Sequence, residues 1–372
     1  MDGEEELTAQ QTALYDRQIR VWGVDAQKKL SKAHILVSGL DGTAVEFCKN
    51  IVLAGVGSLT LMDDRKVTED AIQANFLIPL YEAKNEGRSL AELCCDSLRE
   101  FNPMVHVSVE KGDLAQFNGE FFDKFEAVVV SSCSLENKIA IDEKCRKRPK
   151  RIAFYAIGCR DSCGEIFVDL QDYTYKKKKS ESKANATVAA TATTIQSDSN
   201  ADSCQENSHV VCNLQYPSLQ EAISIPWNDL PRKLSKLYYA MRVIEKFESS
   251  GGKSLGDTST SDLPAVLKLR KEICEAQSFN EMHVPTGLLE RLLAAGNKEY
   301  PPVCAILGGI LGQEVIKAIS GKGDPLKNFF YFDVADGKGL VEDISNPRED
   351  TNSTNGQNRI TIEASSSLYV VP

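Results

Sequence analysis

A short apolar run that ends in glycine and leads into a helical pattern constrains this fold more than any other feature of the sequence. The run "HILVSG" (34–39) precedes "DGTAVEFCKNIVLAGVG" (41–57), whose apolar residues recur at helical spacing, and "SLTLMDD" (58–64) follows as a second strand ending in two acids. Strands and helices go on alternating as far as "RIAFYAIG" (151–158). Near-continuous apolar strands that alternate with helices are typical of a mostly parallel sheet covered on both faces. We therefore predict an α/β, Rossmann-like fold.

Shifts in composition predict how the chain is divided. Large apolar residues almost vanish within 176–208, which is the composition of a disordered segment, and a helical pattern with an N-terminal proline resumes at 301. A further helix is predicted to begin at Asp229, with Pro231 in its first turn. The predicted parts are the first part of the Rossmann-like domain (1–175), a disordered insert (176–212), an inserted α-rich subdomain (213–299), the closing part of the first domain (300–345) and a disordered tail (346–372).

Charge and cysteine spacing exclude several classes of function. A net charge of −10 over 372 residues argues against a nucleic-acid partner. No stretch reads as a membrane span, and the acidic start "MDGEEE" does not resemble a signal peptide, so we expect an intracellular protein. The 11 cysteines form no pair of C-x-x-C motifs, and Cys159, Cys163, Cys204 and Cys212 have no nearby cation or helix start that would obviously activate them. We expect reduced thiols, no catalytic cysteine, and no zinc or other metal site in this chain.

The turn after the first strand keeps only part of a nucleotide-binding pattern. A complete motif reads G-x-G-x-x-G, with an acid at the end of the second strand to hold the ribose. Here Gly39 fits, Gly42 is one residue out of register, Asp41 replaces the middle glycine, and Asp63 meets the acid condition. A carboxylate at Asp41 would repel a phosphate held close to it. Either a working nucleotide site or an inherited structural turn is compatible with this pattern.

The segment "LYDRQIRVWG" (14–23) raises a separate question about Arg17. As a helix it would present an apolar stripe at i, i+4 and i+7, formed by Tyr15, Ile19 and Trp22. Asp16 and Arg20 stand four residues apart and are predicted to pair. No carboxylate stands at helical spacing from Arg17. It is either a solvated surface arginine or one that acts on a group outside its own helix.

Several motifs, taken in order, resemble the small subunit of SUMO-activating enzymes. They are "LYDRQIRVWG", "HILVSGLDGTAVEFCKNIVLAG", "DDRKVTEDAIQANFLI", "REFNPMV" and "PPVCAILGGILGQEVIKAISGKGDP" with "NFFYFD", and they cover roughly residues 12–175 and 300–340. The resemblance implies a ThiF/MoeB adenylation fold and the non-catalytic half of a heterodimer. The catalytic large subunit would be the partner, holding the ATP and magnesium site and the cysteine that accepts SUMO.

The resemblance also assigns roles to individual residues. Catalytic members of the superfamily carry a phosphate-binding arginine in an N-R-Q-F-L segment and a lysine in a G-R-x-K-A segment, where this chain has Ala74 and Leu90. No cysteine here is followed by threonine, as the thioester cysteine of the catalytic subunit is. Arg17 matches the arginine that reaches across the subunit interface to the phosphates of the partner's ATP. The resemblance therefore implies that this chain supports adenylation of the SUMO C-terminus without performing it alone.

Location and competing functions stay open at the level of sequence. The basic clusters "KCRKRPKR" (144–151) and "KKKK" (176–179) could be nuclear import signals or merely a helix end and a linker. We expect the nucleus, with the cytoplasm as a second location. The alternatives are the regulatory subunit of the Nedd-activating enzyme, which is considerably longer, an NAD-dependent oxidoreductase with a degenerate turn, and a scaffold without a part in the chemistry.

Overall fold

The computed structural model describes residues 6–67, 74–78, 87–178, 209–251, 256–345 and 361–363. The helices in this part of the chain are α1 (Ala9–Leu14), α2 (Asp16–Trp22), α3 (Val24–Lys32), α4 (Gly42–Leu53), α5 (Leu90–Phe101), α6 (Leu135–Arg146), α7 (Leu219–Ser224), α8 (Lys236–Gly251), α9 (Leu263–Ala276), α10 (Thr286–Ala295) and α11 (Pro301–Ser320). The strands are β1 (His34–Ser38), β2 (Ser58–Met62), β3 (His106–Val109), β4 (Ala127–Val130), β5 (Ala153–Arg160), β6 (Cys163–Asp169), β7 (Asp172–Lys178), β8 (His209–Gln215), β9 (Phe329–Asp333), β10 (Lys338–Glu342) and β11 (Thr361–Glu363).

A nine-stranded sheet in the order β11-β10-β9-β6-β5-β4-β1-β2-β3 forms the centre of the described structure. The strands β5, β4, β1, β2 and β3 run parallel, and β6, β9, β10 and β11 extend the sheet with antiparallel pairings. The predicted α/β, Rossmann-like architecture is therefore confirmed. The antiparallel extension through β6 and β10 was not predicted.

Side chains of the central strands alternate between two buried layers. Ile35 and Val37 of β1 pack with α3, α4, α5 and α11, whereas Leu36 between them packs with the opposite layer of α6 to α10. All three are fully buried. Because each parallel strand has a helical layer on both faces, its sequence is continuously apolar instead of alternating. This explains why these strands were the clearest in the sequence.

The predicted helix around Arg17 is two short helices. The backbone leaves helical geometry at Tyr15, between α1 and α2. Tyr15 is buried and its hydroxyl accepts a hydrogen bond from Asn102 Nδ2 at 2.8 Å. The predicted pair of Asp16 and Arg20 is confirmed, with 2.8 Å between the charged groups.

Three predicted boundaries are wrong in the described residues. The segment after Pro231 is a turn, and α8 begins only at Lys236. The predicted insert 176–212 starts and ends in strand, because β7 runs to Lys178 and pairs with β8 from His209. The predicted tail 346–372 contains β11, which pairs with the otherwise open edge of β10. Residues 179–208, 346–360 and 364–372 lie outside the described part. Backbone hydrogen bonding at sheet edges decided both strand boundaries, and it leaves little trace in composition.

Helix α11 is long and apolar enough to cross a membrane by length and composition, but most of it is buried inside the protein. It packs lengthwise on α4 and against α3, which is the position of a core helix. Gly308 faces α4 so closely that an added Cβ would stand 2.5 Å from Glu46 Cβ and 2.8 Å from Phe47 N. An added Cβ at the next residue, Gly309, would meet nothing within 4 Å. Gly308 therefore serves packing within this chain.

These two glycines give a matched pair of stability predictions. Gly308→Ala should destabilise the chain by about 1–3 kcal/mol, because α11 and α4 must separate to admit the methyl group. Gly309→Ala should stabilise it by up to about 1 kcal/mol, because alanine is the better helix former and nothing obstructs it. Urea unfolding of the two full-length variants tests the contrast. Equal destabilisation by both would show that the contact with α4 is not what requires glycine.

The basic side chains of the cluster 144–151 have partners within the protein. Arg146 pairs with buried Asp169 at 2.6 Å, and Arg148 pairs with Asp123. The neighbouring bases are also held, as shown by the contacts of Lys144 with the Ala115 and Phe117 carbonyls, Lys147 with Glu143, Lys150 with Glu126, and Arg151 with the Ala318 carbonyl. These contacts give several of the bases structural partners within the chain.

Candidate functional site

The turn between β1 and α4 lies where a Rossmann-like protein would hold a nucleotide phosphate. Gly39 has φ +85°, and a Cβ at this position would lie 2.3 Å from the Ser131 carbonyl oxygen, so glycine is required there. Asp41 caps α4, because its Oδ1 accepts the Ala44 N–H at 2.9 Å. Its Oδ2 accepts hydrogen bonds from the hydroxyls of Ser131 and Ser132. The carboxylate that the sequence predicted to repel phosphate is therefore fixed at the start of the helix.

A second carboxyl group, from Glu299, occupies the same helix N-terminus. Glu299 Oε2 accepts the Gly42 N–H at 2.6 Å, and Oε1 lies 3.4 Å from both the N–H and the hydroxyl of Thr43. Helix N-termini bind anions through such free N–H groups. Burial, with the Asp41 charge adding to it, raises the pKa of Glu299 to about 10. The N–H groups that would cradle a phosphate are thus used by the chain's own side chain.

Asp63, the acid at the end of β2, also has both carboxylate oxygens in contacts within the chain. Asp63 lies buried, and both of its oxygens contact Arg65, with Nε at 2.9 Å from Oδ1 and Nη2 at 2.6 Å from Oδ2. Oδ2 also accepts the Leu40 N–H at 2.8 Å. This pairing raises the pKa of Arg65. Asp63 therefore connects the turn to β2. Both of its oxygens already have hydrogen-bond partners, so neither is free to bind a ribose.

A cavity of about 500 Å³ remains above the turn, but its cations are already paired. Arg65 is held by Asp63, Arg160 contacts Glu248 through two hydrogen bonds of 2.9 and 2.7 Å, and the Lys138 ammonium lies 4.0 Å from Glu245. Four acids also line it, namely Asp41, Glu165, Glu245 and Glu299. An acidic lining with no unpaired cation among these residues is a poor environment for a triphosphate.

Ala74 and Leu90 stand where a complete motif would have phosphate-binding cations. Ala74 lies beside the turn, and Leu90 lines the cavity above it. Ala74 packs against Gly42, since a Cβ there would lie 3.0 Å from both Ala74 Cβ and the Ala74 carbonyl oxygen. Leu90 is the first residue of α5, lines the cavity and is buried, with its N–H donating to the Arg65 carbonyl. Neither side chain carries a charge, so neither can replace the arginine and lysine of the complete motif.

The structure thus brings together Gly39, Asp41, Gly42, Asp63 and Ala74, as the sequence predicted, and adds Glu299, which the sequence analysis missed. Glu299 is 257 residues away from Gly42 along the chain. Its one local signal is an acid two residues before a helix that begins with proline. Nothing in that signal indicates which helix N-terminus the acid contacts.

Ten cysteines in the described part of the chain are free thiols. Burial raises the pKa of Cys94 to about 12 and that of Cys133 and Cys163 to about 11. A raised pKa keeps a thiol protonated and unreactive. These three thiols are therefore unsuited to accept an acyl group at neutral pH.

Arg17 is exposed on α2 and is not among the residues that line the cavity above the turn. The described residues give it no hydrogen bond or ion pair, whereas Arg20, three residues later, is paired with Asp16. Exposed apolar side chains stand beside it in sequence, with Leu14 56%, Val21 81% and Val24 46% accessible. Arg17 is therefore an uncommitted guanidinium on a surface with an unusual share of exposed apolar groups.

The fold and the turn define the class of protein to which the chain belongs. The family model described as the ThiF family matches residues 15–355. A solved structure of selenomethionine PaaA has a similar fold, with a TM-score of 0.54 and 15% identity, covering 91% of this chain and 84% of that one. At this identity the likeness concerns the fold alone.

Relatives with higher sequence identity define the family of this chain more narrowly. SUMO-activating enzyme subunit 1A of Arabidopsis thaliana is 58% identical over 93% of this chain and 98% of its own length. SUMO-activating enzyme subunit 1 of Homo sapiens is 31% identical over 90% and 96%. The chain belongs to the ThiF family and, within it, to the family of SUMO-activating enzyme subunit 1. This membership supports a role as a subunit of an enzyme that activates a ubiquitin-like modifier.

Proposed function

We propose that this chain is the helper subunit of a heterodimer that adenylates the C-terminal carboxylate of SUMO. A catalytic large subunit would bind ATP and magnesium and carry the cysteine that receives SUMO as a thioester. This chain would provide a docking surface and Arg17, and would be catalytically incompetent alone. The observation that carries this assignment is the phosphate position of its own turn, which is filled by Asp41 and Glu299.

The energetic cost of placing ATP in this chain's own cavity supports that division of work. A phosphate at the α4 N-terminus would have to displace the Glu299 carboxyl from the Gly42 N–H and lie beside the Asp41 carboxylate. An arginine and a lysine at the positions of Ala74 and Leu90 would each stabilise a bound phosphate by about 1.5–3 kcal/mol, and neither cation is present. Together these effects remove useful ATP affinity.

The surface around Arg17 supports an action on a partner. Large exposed apolar side chains such as Leu14, Val21 and Val24 are typical of a protein interface. Arginine is enriched at such interfaces and presents a planar, permanently charged fork that suits phosphate oxygens. A partner docked on this surface would bring its nucleotide within reach of Arg17.

The chemistry of adenylation explains why one arginine would matter. Attack of a carboxylate on the α-phosphate of ATP brings two anions together and releases pyrophosphate, so the reaction needs positioning and neutralised charge more than proton transfer. A guanidinium fixed near the phosphates supplies positive charge without titrating at neutral pH. The carboxylate of SUMO would be the nucleophile and pyrophosphate the leaving group.

We propose the nucleus as the main location of the complex, with the cytoplasm as a second one. The cluster 144–151 is held in ion pairs and backbone contacts, so import would depend on the second cluster, the partner, or both. Imaging of a fluorescent fusion, with and without Lys176–Lys179 replaced by alanine, tests the contribution of that cluster.

Exchange between ATP and labelled pyrophosphate, dependent on SUMO, tests the proposed function. The assay compares this full-length chain alone, a catalytic large subunit alone, and the two mixed. We expect no exchange with this chain alone and full exchange only in the mixture. Exchange by this chain alone would refute the conclusion that its turn is closed to nucleotide, and an equal rate with and without this chain would refute the helper role.

A further inference from the structure

Two cysteines and a glutamate from distant parts of the sequence converge beneath the cavity. They are Cys159 at the end of β5, Glu299 in the loop before α11, and Cys304 in the first turn of α11. One ligand atom of each, two Sγ and one carboxylate oxygen, lies within 4.8 Å of the other two. No pair among them has the C-x-x-C spacing of a zinc motif, which is why the sequence analysis predicted no metal site.

We propose that Cys159, Glu299 and Cys304 form a binding site for a borderline divalent cation, with zinc as the preferred ion. Two thiolates and one carboxylate are a donor set that suits zinc, which binds sulfur at about 2.3 Å and carboxylate oxygen at about 2.0–2.2 Å. Calcium and magnesium prefer oxygen donors only and are excluded by the two sulfurs.

One distance within the cluster fits a tetrahedral ion, and all three ligand atoms lie within 4.8 Å of one another. Those bond lengths place a sulfur and an oxygen of one tetrahedron about 3.5 Å apart, and two sulfurs about 3.8 Å apart. Cys304 Sγ lies 3.5 Å from Glu299 Oε1. The sulfur and the carboxylate oxygen therefore already have the separation that a shared zinc ion requires.

Hydrogen bonds around the cluster orient its carboxyl group for this role. Glu299 Oε2 is held by the Gly42 N–H at 2.6 Å, and Oε1, which also lies 3.4 Å from the N–H and the hydroxyl of Thr43, is the atom that faces Cys304. Orientation of a ligand through its second atom is a common feature of metal sites. The two thiol protons and the proton of the Glu299 carboxyl group would pass to solvent on binding, as required for thiolate and carboxylate ligands.

The surroundings favour a cation and leave one coordination position accessible. Cys159 and Glu299 line the cavity of about 500 Å³, whose cations are engaged elsewhere and whose wall also carries Asp41. Water can occupy a fourth position from that side. The bound ion would connect β5, the loop before α11 and α11 itself beside the turn, so metal should raise the thermal stability of the chain.

Titration of the reduced, metal-free, full-length chain with cobalt(II) tests the site. Cobalt(II) substitutes for zinc, and its bonds to thiolates give an intense near-ultraviolet band, with visible bands when the geometry is tetrahedral. We expect both to saturate at one equivalent and to disappear when zinc is added, because zinc binds the same ligands more tightly. Absence of a saturable thiolate band would overturn the proposal.

Three variants and one control identify the ligands. Cys159→Ser and Cys304→Ser should each lower the thiolate band, and Glu299→Gln should weaken cobalt affinity by at least about tenfold. Cys274→Ser is the matched control, because Cys274 is also a buried thiol but lies in α9.

Should Cys304→Ser fail to fold, Cys159→Ser carries the test, since Cys159 is only half-buried. An unchanged band in a folded Cys159→Ser variant would refute the site. None of these readouts depends on SUMO activation, so they separate this inference from the proposed function.

Discussion

Replacing Arg17 by alanine should lower SUMO adenylation by the reconstituted heterodimer about 100-fold or more while leaving the heterodimer intact. The expected size is that of removing one preorganised group which stabilises developing charge. Arg17 is exposed and has no partner among the described residues of this chain, so its loss should not affect the fold. Pyrophosphate exchange measures the rate, and size-exclusion chromatography of the mixture measures assembly.

Two further variants show whether the charge or its geometry is required. Arg20→Ala is the matched control, because Arg20 is an exposed arginine on the same short helix but pairs with Asp16. It should leave exchange unchanged. Arg17→Lys should restore only part of the activity, because lysine keeps the charge without the planar fork. A normal rate of pyrophosphate exchange by an intact complex that contains Arg17→Ala would show that this chain is a scaffold without a part in the chemistry.

The second large effect concerns a buried ion cluster formed by Arg242 with Glu165 and Glu245, two acids that line the cavity. Arg242 is buried, and its Nη2 lies 2.7 Å from both oxygens of Glu165, while its Nε lies 2.9 Å from Glu245. Arg242→Met should destabilise the full-length chain by about 3–5 kcal/mol, because two buried carboxyl groups lose their main counter-charge. Lys246→Met, an exposed change on the same helix, is the control and should cost much less.

The same variant should have a distinctive pH dependence. In the intact protein the Arg242 charge opposes the effect of burial and holds the pKa of Glu165 below its usual value, so this group adds stability at neutral pH that is lost in acid. Without Arg242, burial raises the carboxyl pKa values, and the variant loses stability as pH rises. The stability difference between the two proteins should shrink from pH 7 to pH 5. A constant difference would show that altered packing, not charge, causes the destabilisation.

The sequence predicted those parts of the fold in which local pattern and tertiary environment agree. β1, the turn at Gly39 and α4 follow from one continuous apolar run, a glycine at positive φ and a helical repeat. α11 begins at residue 301 as predicted, because proline at the first helical position acts locally.

The parts that could not be predicted depend on contacts between distant residues. β11 is a strand because β10 offers an unpaired edge, and its three residues have too little pattern of their own. The sequence predicts that the Asp41 carboxylate would repel phosphate, but the role of Asp41 as a helix cap, its two serine partners and the second carboxyl group from Glu299 depend on tertiary geometry. The sequence shows that Ala74 and Leu90 carry no charge, but not that Asp41 and Glu299 occupy the N-terminus of α4.

The filled turn also has a consequence for the stoichiometry of the proposed complex. Two subunits of related fold would ordinarily offer two equivalent nucleotide sites and the possibility of cooperative binding between them. Here the Gly42 N–H is already occupied by Glu299, so a heterodimer containing this chain should bind one ATP. Its saturation curve should be hyperbolic, and a competitive nucleotide analogue should need only one equivalent per complex to inhibit it completely.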